Sequence, residues 1–546
     1  MDAEAVQDPF DYIVVGAGSA GCVLADRLTR NGGCKVLLLE AGPADDGLFV
    51  RMPMGLFRNL ADPRRAWHYG LEPDPHTGKQ HFWLRGKMLG GSSSLNGMLY
   101  FRGQPQDYDG WHELGCPEWG WTQMRAAFRA IEDHELGDDG ERGTGGPLHI
   151  SIQRRVTPLT EALIAAGAAM GLPVREDLNR PDQEGIGYSP VTMRNGRRWS
   201  AADAFLRPAM RRSNLTVVTS AHVLRVLFDG SRACGVHVRV DGVDRVFAAG
   251  REVILSAGAL QSPALLQHSG IGPAPLLRGL GIDVVQASAD VGRNAREHKM
   301  ITMTQRVIGY SLNRELQGWR AYLNGLRYAL GGRGPMSATY DINAFVRTRP
   351  GLDRPDAQLT FWSLSPRRDV AGSLPEQEPG LMFMGYPLRT DSQGKVRIVS
   401  RDPMVPPAIQ ANFLTTDHDR RVIVDLFRYV RRLMAQDSLQ RFLVRETYPG
   451  SEVVSDAEIL EAAHQDSTCL HTVGTCRMGG DDSAVVDGRL RVRGVAGLRV
   501  VDCSVMPTQV SGNTNGPVMA LAWRAADLIL EDAAHLADYP SSGAKL

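Results

Sequence analysis

The segment from Asp11 to Glu40 constrains the fold more tightly than any other stretch of the chain. Asp11-Tyr-Ile-Val-Val15 is a short apolar run of β-branched character, which predicts a buried parallel strand. Gly16-Ala-Gly18-Ser-Ala-Gly21 follows at once, and Ala20, Val23, Leu24 and Leu28 then recur at helical spacing. Asn31-Gly-Gly33 stops that helix, and Lys35-Val-Leu-Leu-Leu39 gives a second buried strand ending in Glu40. This is a complete βαβ unit with glycines in its first turn, the pattern of a dinucleotide-binding fold. Gly16 permits the tight turn, Gly18 lets the backbone approach a pyrophosphate, and Gly21 lets helix and strand pack closely. The pyrophosphate would rest on the positive end of the helix. A carboxylate about 20 residues after the turn, here Glu40, is placed to accept hydrogen bonds from a ribose. An acid there disfavours a 2′-phosphate but does not separate NAD from FAD.

Composition narrows the function classes. A chain of 546 residues is too long for one simple core, so two joined domains are expected. Lys+Arg and Asp+Glu are equal at 61 each, so no overall charge draws the chain to nucleic acid or an anionic surface. Met1–Phe10 carries three acidic residues and neither a basic nor an apolar region, unlike a secretory signal. Nowhere do roughly 18 consecutive apolar residues mark a transmembrane segment. The seven cysteines are odd in number and scattered, as in a reduced protein, and the expected location is cytoplasmic. Cys469, Cys476 and Cys503 lack metal-ligand spacing and are expected to be packing residues, so no metal site is expected.

Further along, Gly86-Lys-Met-Leu-Gly90-Gly91-Ser92-Ser93-Ser94-Leu95-Asn96-Gly97 sets small residues where a planar ligand could lie on bare backbone. This segment, continuing through Tyr100, Gly103 and Asp109, resembles the first signature of the glucose–methanol–choline (GMC) oxidoreductases. The run Gly258-Ala-Leu-Gln-Ser262-Pro263 to Ser269-Gly270-Ile-Gly272 resembles the second. His471-Thr-Val-Gly-Thr-Cys-Arg-Met-Gly479 and Ser511-Gly-Asn-Thr-Asn515 resemble the family's two C-terminal active-site segments. With the βαβ unit, these motifs run in family order over almost the whole chain.

The resemblance implies an α/β fold: an FAD-binding, Rossmann-like dinucleotide domain with a β-meander, plus an α+β substrate domain. It implies FAD as cofactor. Gly16, Gly18, Gly21 and Glu40 would hold the ADP half, and Val223 would reach the adenine through its backbone. Asn96, Gly97, Met98 and Leu99 would lie beside the isoalloxazine, and Asp502 and Asn513 would line the ribityl and flavin edge. Ser19, Ala20, Ala41, Gly90, Ala257, Leu470 and Thr514 complete the cofactor-binding set. Some relatives attach FAD through a histidine where this chain has Leu95, which cannot form that bond, so FAD is expected to be non-covalent.

Ala221–Phe228, Ala233–Val240 and Val243–Ala248 alternate apolar and polar residues around Asp229-Gly230 and Asp241-Gly242 turn signals, predicting a three-stranded meander. Arg251–Gly258 is expected to return as a separate strand. The FAD-binding domain is assigned to 1–154, 201–298 and 460–546, and the substrate-binding domain to 155–200 and 299–459, with short β-like runs such as Lys395–Ser400.

Oxidation of an alcohol needs its hydroxyl proton removed and a hydride passed from carbon to flavin N5. A neutral histidine suits the first step, and the motif assigns it to His471. Asn515 is expected as its partner on the substrate oxygen and also as a helix N-cap before Val518–Ile529, with Asn513 as the rival for the first role. His298, in Gly292-Arg-Asn-Ala-Arg-Glu-His298, departs from the family segment at Ala295 and Glu297 and is expected to be structural. Trp67-His-Tyr69 is read equally as flavin pocket or core. The expected activity is oxidation of an alcohol, primary by preference, to an aldehyde, with electrons passing to oxygen or to a quinone or dye. No glutamate is evident as a choline partner, and Leu470 leaves the side-chain preference of the alcohol open. The alternatives are the lyase and light-driven decarboxylase branches of the same family and a non-catalytic flavin redox sensor.

Overall fold

The computed structural model describes residues 9–367 and 375–538; residues 1–8 of the segment read for a leader lie outside them. Strands β1 (Phe10–Val15) and β2 (Val36–Leu39) pair in parallel from Tyr12 opposite Val36 to Val15 opposite Leu39, and α1 (Ser19–Thr29) joins them. Every residue of β2 is buried, so the run is continuously apolar rather than alternating, as a strand covered on both faces requires. Strand β3 (Leu215–Val218) extends the sheet beyond β2.

The meander follows: β4 (Ala221–Asp229), β5 (Arg232–Val240) and β6 (Val243–Leu255). Asp241 and Gly242 both have positive φ, the requirement of a two-residue hairpin turn of this hand. One expectation is corrected here. Val243–Ala248 and Arg251–Gly258 are not two strands; one strand, β6, runs from Val243 to Leu255, and Gly258 already opens the next helix. As far as Ala248 it pairs antiparallel with β5, and from Ala249 it pairs with β1 in parallel. The ladder passes from one neighbour to the other with a register shift at Gly250–Arg251, between the Phe10–Ala249 and Tyr12–Glu252 pairs, so Gly250 bends the strand without ending it. Strand β7 (Leu498–Val500) lies parallel to β6 on its other side. Helices α2 (Gly258–His268) and α3 (Asn515–Asp538) follow β6 and the last loop.

All the parallel strands end at one edge. Gly16 follows β1, Glu40 follows β2, Ser256 follows β6 and Asp502 lies just beyond β7. Ligands of open α/β sheets bind outside such carboxyl ends. A second, antiparallel sheet faces this edge, in the order 443–448, 301–307, 380–387, 357–362, 342–346, 185–188. Its alternation divides the layers. Leu359, Phe361 and Phe383 enter a core shared with helix Asp417–Met434, while Thr360, Met384 and Tyr386 face the space between the sheets. The Lys395–Ser400 run is strand only at Lys395–Arg397. Among the described residues, no helix is long and apolar enough to cross a membrane.

Candidate functional site

A cavity of about 430 Å³ lies between the two sheets. At one end it meets Glu40, Ala41 and Val223; it passes Gly18 and Ser19 and reaches His471 and Asn513 at the other. All the expected cofactor and catalytic residues line it except Gly21 and Gly90. Those two act behind the wall. A Cβ on Gly21 would stand 1.9 Å from the Gly16 carbonyl oxygen, and one on Gly90 would meet Ser94 Oγ at 2.2 Å. Gly18 differs: an added Cβ there meets nothing nearer than Ser256 O at 4.0 Å, so its bare backbone borders open space.

The first turn of α1 has no side-chain cap. Its N–H groups are therefore available at the cavity wall, the arrangement that binds phosphate. Glu40 accepts from Ala17 N and Gly42 N, each at 2.9 Å. Burial pushes its carboxyl up to about 7, against those two amides and Lys87, which pull it down. A carboxylate has about four acceptor positions, so two remain for a ribose hydroxyl. Asp502 accepts from Gly258 N, Ser262 Oγ and Ser504 N, and its burial raises its pKa. An elongated cavity, an uncapped helix start and an open glycine together fit a dinucleotide.

The other end is built from side chains distant in sequence. His471 Nε2 lies 3.1 Å from Asn513 Nδ2, and His471 Nδ1 lies 3.0 Å from His298 Nδ1. His298 Nε2 lies 3.0 Å from the Leu388 carbonyl oxygen. A carbonyl only accepts, so His298 must carry its proton on Nε2. Burial lowers the pKa of His298 to about 4 and that of His471 well below its ordinary value, the latter helped by His298 and Arg85. Both rings are therefore neutral at pH 7. Neutral His298 then accepts at Nδ1, His471 donates from Nδ1, and the His471 Nε2 lone pair faces the Asn513 amide. The orientation of Asn513 follows from its other bond, since its Oδ1 accepts from Gln358 Nε2 at 3.2 Å. Tyr386 stacks on His298 with ring centroids 4.6 Å apart.

Backbone pairing holds this chain in place. Arg296 bridges Val473 and Lys299 bridges Thr468, so the two histidine-bearing segments run antiparallel. Buried Glu297 accepts from His471 N at 2.7 Å and from Thr472 Oγ1 at 2.6 Å, and Arg85 Nη2 donates to Thr472 Oγ1. Leu470, next to the base candidate, takes φ +63°, a conformation rare for a leucine.

One expectation changes. Asn515 is not the neighbour of His471. It opens α3, where its Oδ1 accepts from Ser19 Oγ at 2.8 Å and ties α3 to the start of α1. His298, expected to be structural, has its ring in direct contact with the His471 ring. Nothing local in the sequence signals that contact, nor the parts of Gln358, Tyr386 and the Leu388 carbonyl; only the segment around His298 offers a hint. Trp67 and Tyr69 line the cavity, as do Cys469 and Cys503, while Cys476 is buried. Among the described residues all seven cysteines are free, and no cluster of three or more His, Cys, Asp or Glu residues could hold a metal.

The fold and cavity define a dinucleotide-binding oxidoreductase architecture. The chain matches the GMC oxidoreductase family profile over residues 10–300 with its N-terminal part and over 390–522 with its C-terminal part. It is 40% identical over 540 residues to the mitochondrial choline dehydrogenase of Mus musculus, covering 96% of this chain and 90% of that protein. It is 36% identical to an alcohol dehydrogenase [acceptor] of Pseudomonas putida, covering 95% and 96%. The crystal structure of pyridoxine 4-oxidase from Mesorbium loti superposes with TM-score 0.87 at 31% identity, covering 96% of this chain and 99% of that one. The chain belongs to the GMC oxidoreductase family, and it is an FAD-dependent alcohol oxidoreductase.

Proposed function

We propose that the protein oxidises a neutral, primary alcohol to an aldehyde, with His471 as the general base. FAD, when bound, supplies the hydride acceptor, its N5 atom. The observation that carries the reading is the neutral His471 ring with its Nε2 lone pair turned to the cavity and its Nδ1 proton held by His298. A substrate hydroxyl that takes the place of Asn513 at Nε2 can give its proton there. The Asn513 amide has a second N–H for the substrate oxygen. The substrate-facing role expected of Asn515 thus passes to Asn513, and Asn515 is proposed to serve the cofactor side together with Ser19.

Choline appears in the name of the Mus musculus relative, but the cavity here favours an uncharged substrate. Among the described residues its only lining carboxylates are Glu40 and Asp502, both engaged by backbone amides. Near His471 the wall includes Met300, Tyr340, Met384 and Cys469, none of them anionic, together with the cation Arg85. Leu95, buried at the cavity wall, supports FAD held without a covalent bond from that position. The two sheets support the proposed division into an FAD-binding part (1–154, 201–298, 460–546) and a substrate-binding part (155–200, 299–459). The electron acceptor is proposed to be oxygen or a quinone or dye.

The test is anaerobic mixing of the yellow holoprotein with aliphatic and aromatic alcohols and choline in the dark. Bleaching of the flavin is expected with uncharged alcohols and is slowed by about 10²–10⁴-fold in His471→Ala. Recovery on admitting air separates oxygen from a quinone-type acceptor. A flavin that no alcohol bleaches, yet dithionite reduces, sinks the proposal in favour of a lyase or light-driven decarboxylase.

A further inference from the structure

Helix Gly318–Gly331 is amphipathic in the reverse sense for a globular protein. Its buried side chains are Asn324 and Tyr328, whereas Trp319, Tyr322, Leu326 and Leu330 are 69%, 75%, 48% and 82% exposed. With Leu323, 39% exposed, these occupy i, i+3, i+4, i+7 and i+11, a stripe about 100° wide pointing away from the protein. Single exposed apolar residues are ordinary, but a continuous stripe containing Trp and Tyr marks an interaction surface.

Within the helix and the turn that follows it, the charges beside the stripe all have one sign. From Gly318 to Gly334 the chain carries Arg320, Arg327 and Arg333 and no acidic residue. All three are exposed; Arg320 pairs with Glu315, while Arg327 and Arg333 form no ion pair with any described residue. A second copy docked by two-fold symmetry would set this basic face against itself. An anionic bilayer complements it, with Trp and Tyr at headgroup depth and arginines on phosphates.

We infer that the exposed face of helix Gly318–Gly331 docks the protein on an anionic lipid bilayer, lying in the interface without crossing it. The helix rests on the part of the molecule that roofs the cavity. Tyr328 Oη donates to the Arg51 carbonyl at 3.1 Å, at the end of the short helix Leu48–Arg51, whose Leu48 and Phe49 are themselves exposed. The next helix, Leu56–Ala61, lines the cavity through Leu56 and Leu60. Docking therefore brings the roof of the cavity near the membrane, where apolar alcohols and lipid-dissolved electron acceptors concentrate. The docking itself does not depend on the proposed chemistry.

The test is flotation of the FAD-loaded full chain with vesicles of phosphatidylcholine alone or mixed with phosphatidylglycerol. Binding is expected to the mixed vesicles, weakened by raised salt. It should fall by at least about tenfold in the triple variant Trp319→Glu, Leu326→Glu, Leu330→Glu, with flavin content and dye-linked alcohol oxidation in solution unchanged. The double variant Arg320→Glu, Arg327→Glu leaves the apolar stripe intact and should also lose binding to mixed vesicles. Wild-type protein that stays unbound, or binding that survives both variants, overturns the inference. So does a wild-type dimer that the triple variant turns into a monomer without any vesicle binding, which would make the stripe a self-association surface.

Discussion

The two ends of the cavity are built by different means. The Glu40 end is made of backbone: Gly16, Gly18 and Gly21, the N–H groups of α1, and a carboxylate at the tip of β2, all within one contiguous βαβ unit. The His471 end is made of side chains from separate segments, joined by hydrogen bonds such as that between His298 and His471, 173 positions apart. Space decides the first end, and proton placement decides the second. Substitutions at the first should therefore cost cofactor and fold, and those at the second should cost rate alone.

The largest effect is expected from Gly21→Ala. The new methyl would sit 1.9 Å from the Gly16 oxygen, so the turn and α1 must separate. A colourless protein destabilised by about 1–3 kcal/mol is expected, checked by the flavin-to-protein absorbance ratio and thermal melting. A fully yellow, fully stable variant would break the contrast. Next comes a direct comparison of asparagines. Asn513→Ala should slow flavin reduction by about 10²-fold with FAD retained, while Asn515→Ala should leave that rate within a few-fold. Rapid-mixing rates showing the opposite order would return the role to Asn515.

A smaller effect, about 10-fold, is expected for His298→Ala, because His471 then loses the acceptor that fixes its Nδ1 proton. His298→Asn, whose carbonyl can stand where Nδ1 stood, should recover part of the rate. Equal loss in both variants would mean that His298 only fills space. The mildest effects are those of pH. The pKa of His471 lies below its ordinary value near 6.5, so the base is neutral above that pH and the rate of flavin reduction should be level there. Its acid limb belongs well below 6.5, and a limb centred at 7 or above would contradict the assignment. Stability should follow a related course. His81, His268 and His298 each fall to about 4 in the folded protein, so the unfolded chain binds more protons at acid pH. Thermal stability is then retained above about 6.5 and lost as pH falls from there towards 4.

The same contrast explains what could be read in the sequence. The βαβ unit is local, and its glycine spacing, flanking strands and terminal glutamate carry the reading without tertiary knowledge. The meander was legible for the same reason, since Asp229-Gly230 and Asp241-Gly242 mark its turns. The continuity of β6 was not, because Ala249-Gly250 resembles a break until β1 is seen to take over the ladder from β5. Two asparagines two positions apart could not be told apart before the start of α3 was known. His298 carried no signal of its ring contact, because the antiparallel pairing that brings it to His471 joins segments whose composition does not announce it. Tyr386 and Gln358 lie on a strand pair whose cavity-facing side shows only once the sheet is closed.

The hydrogen-bond chain behind His471 ends on the carbonyl oxygen of Leu388, and a main-chain carbonyl is too weak a base to be protonated near neutrality. A proton arriving at His471 therefore has no exit to the rear; it can be held, but it cannot be handed on towards bulk water in that direction. On the proposed reading, the only outlet is the face through which the alcohol entered. The enzyme would then recover its base only after the product had moved aside, making proton discharge and emptying of the pocket a single event in each cycle.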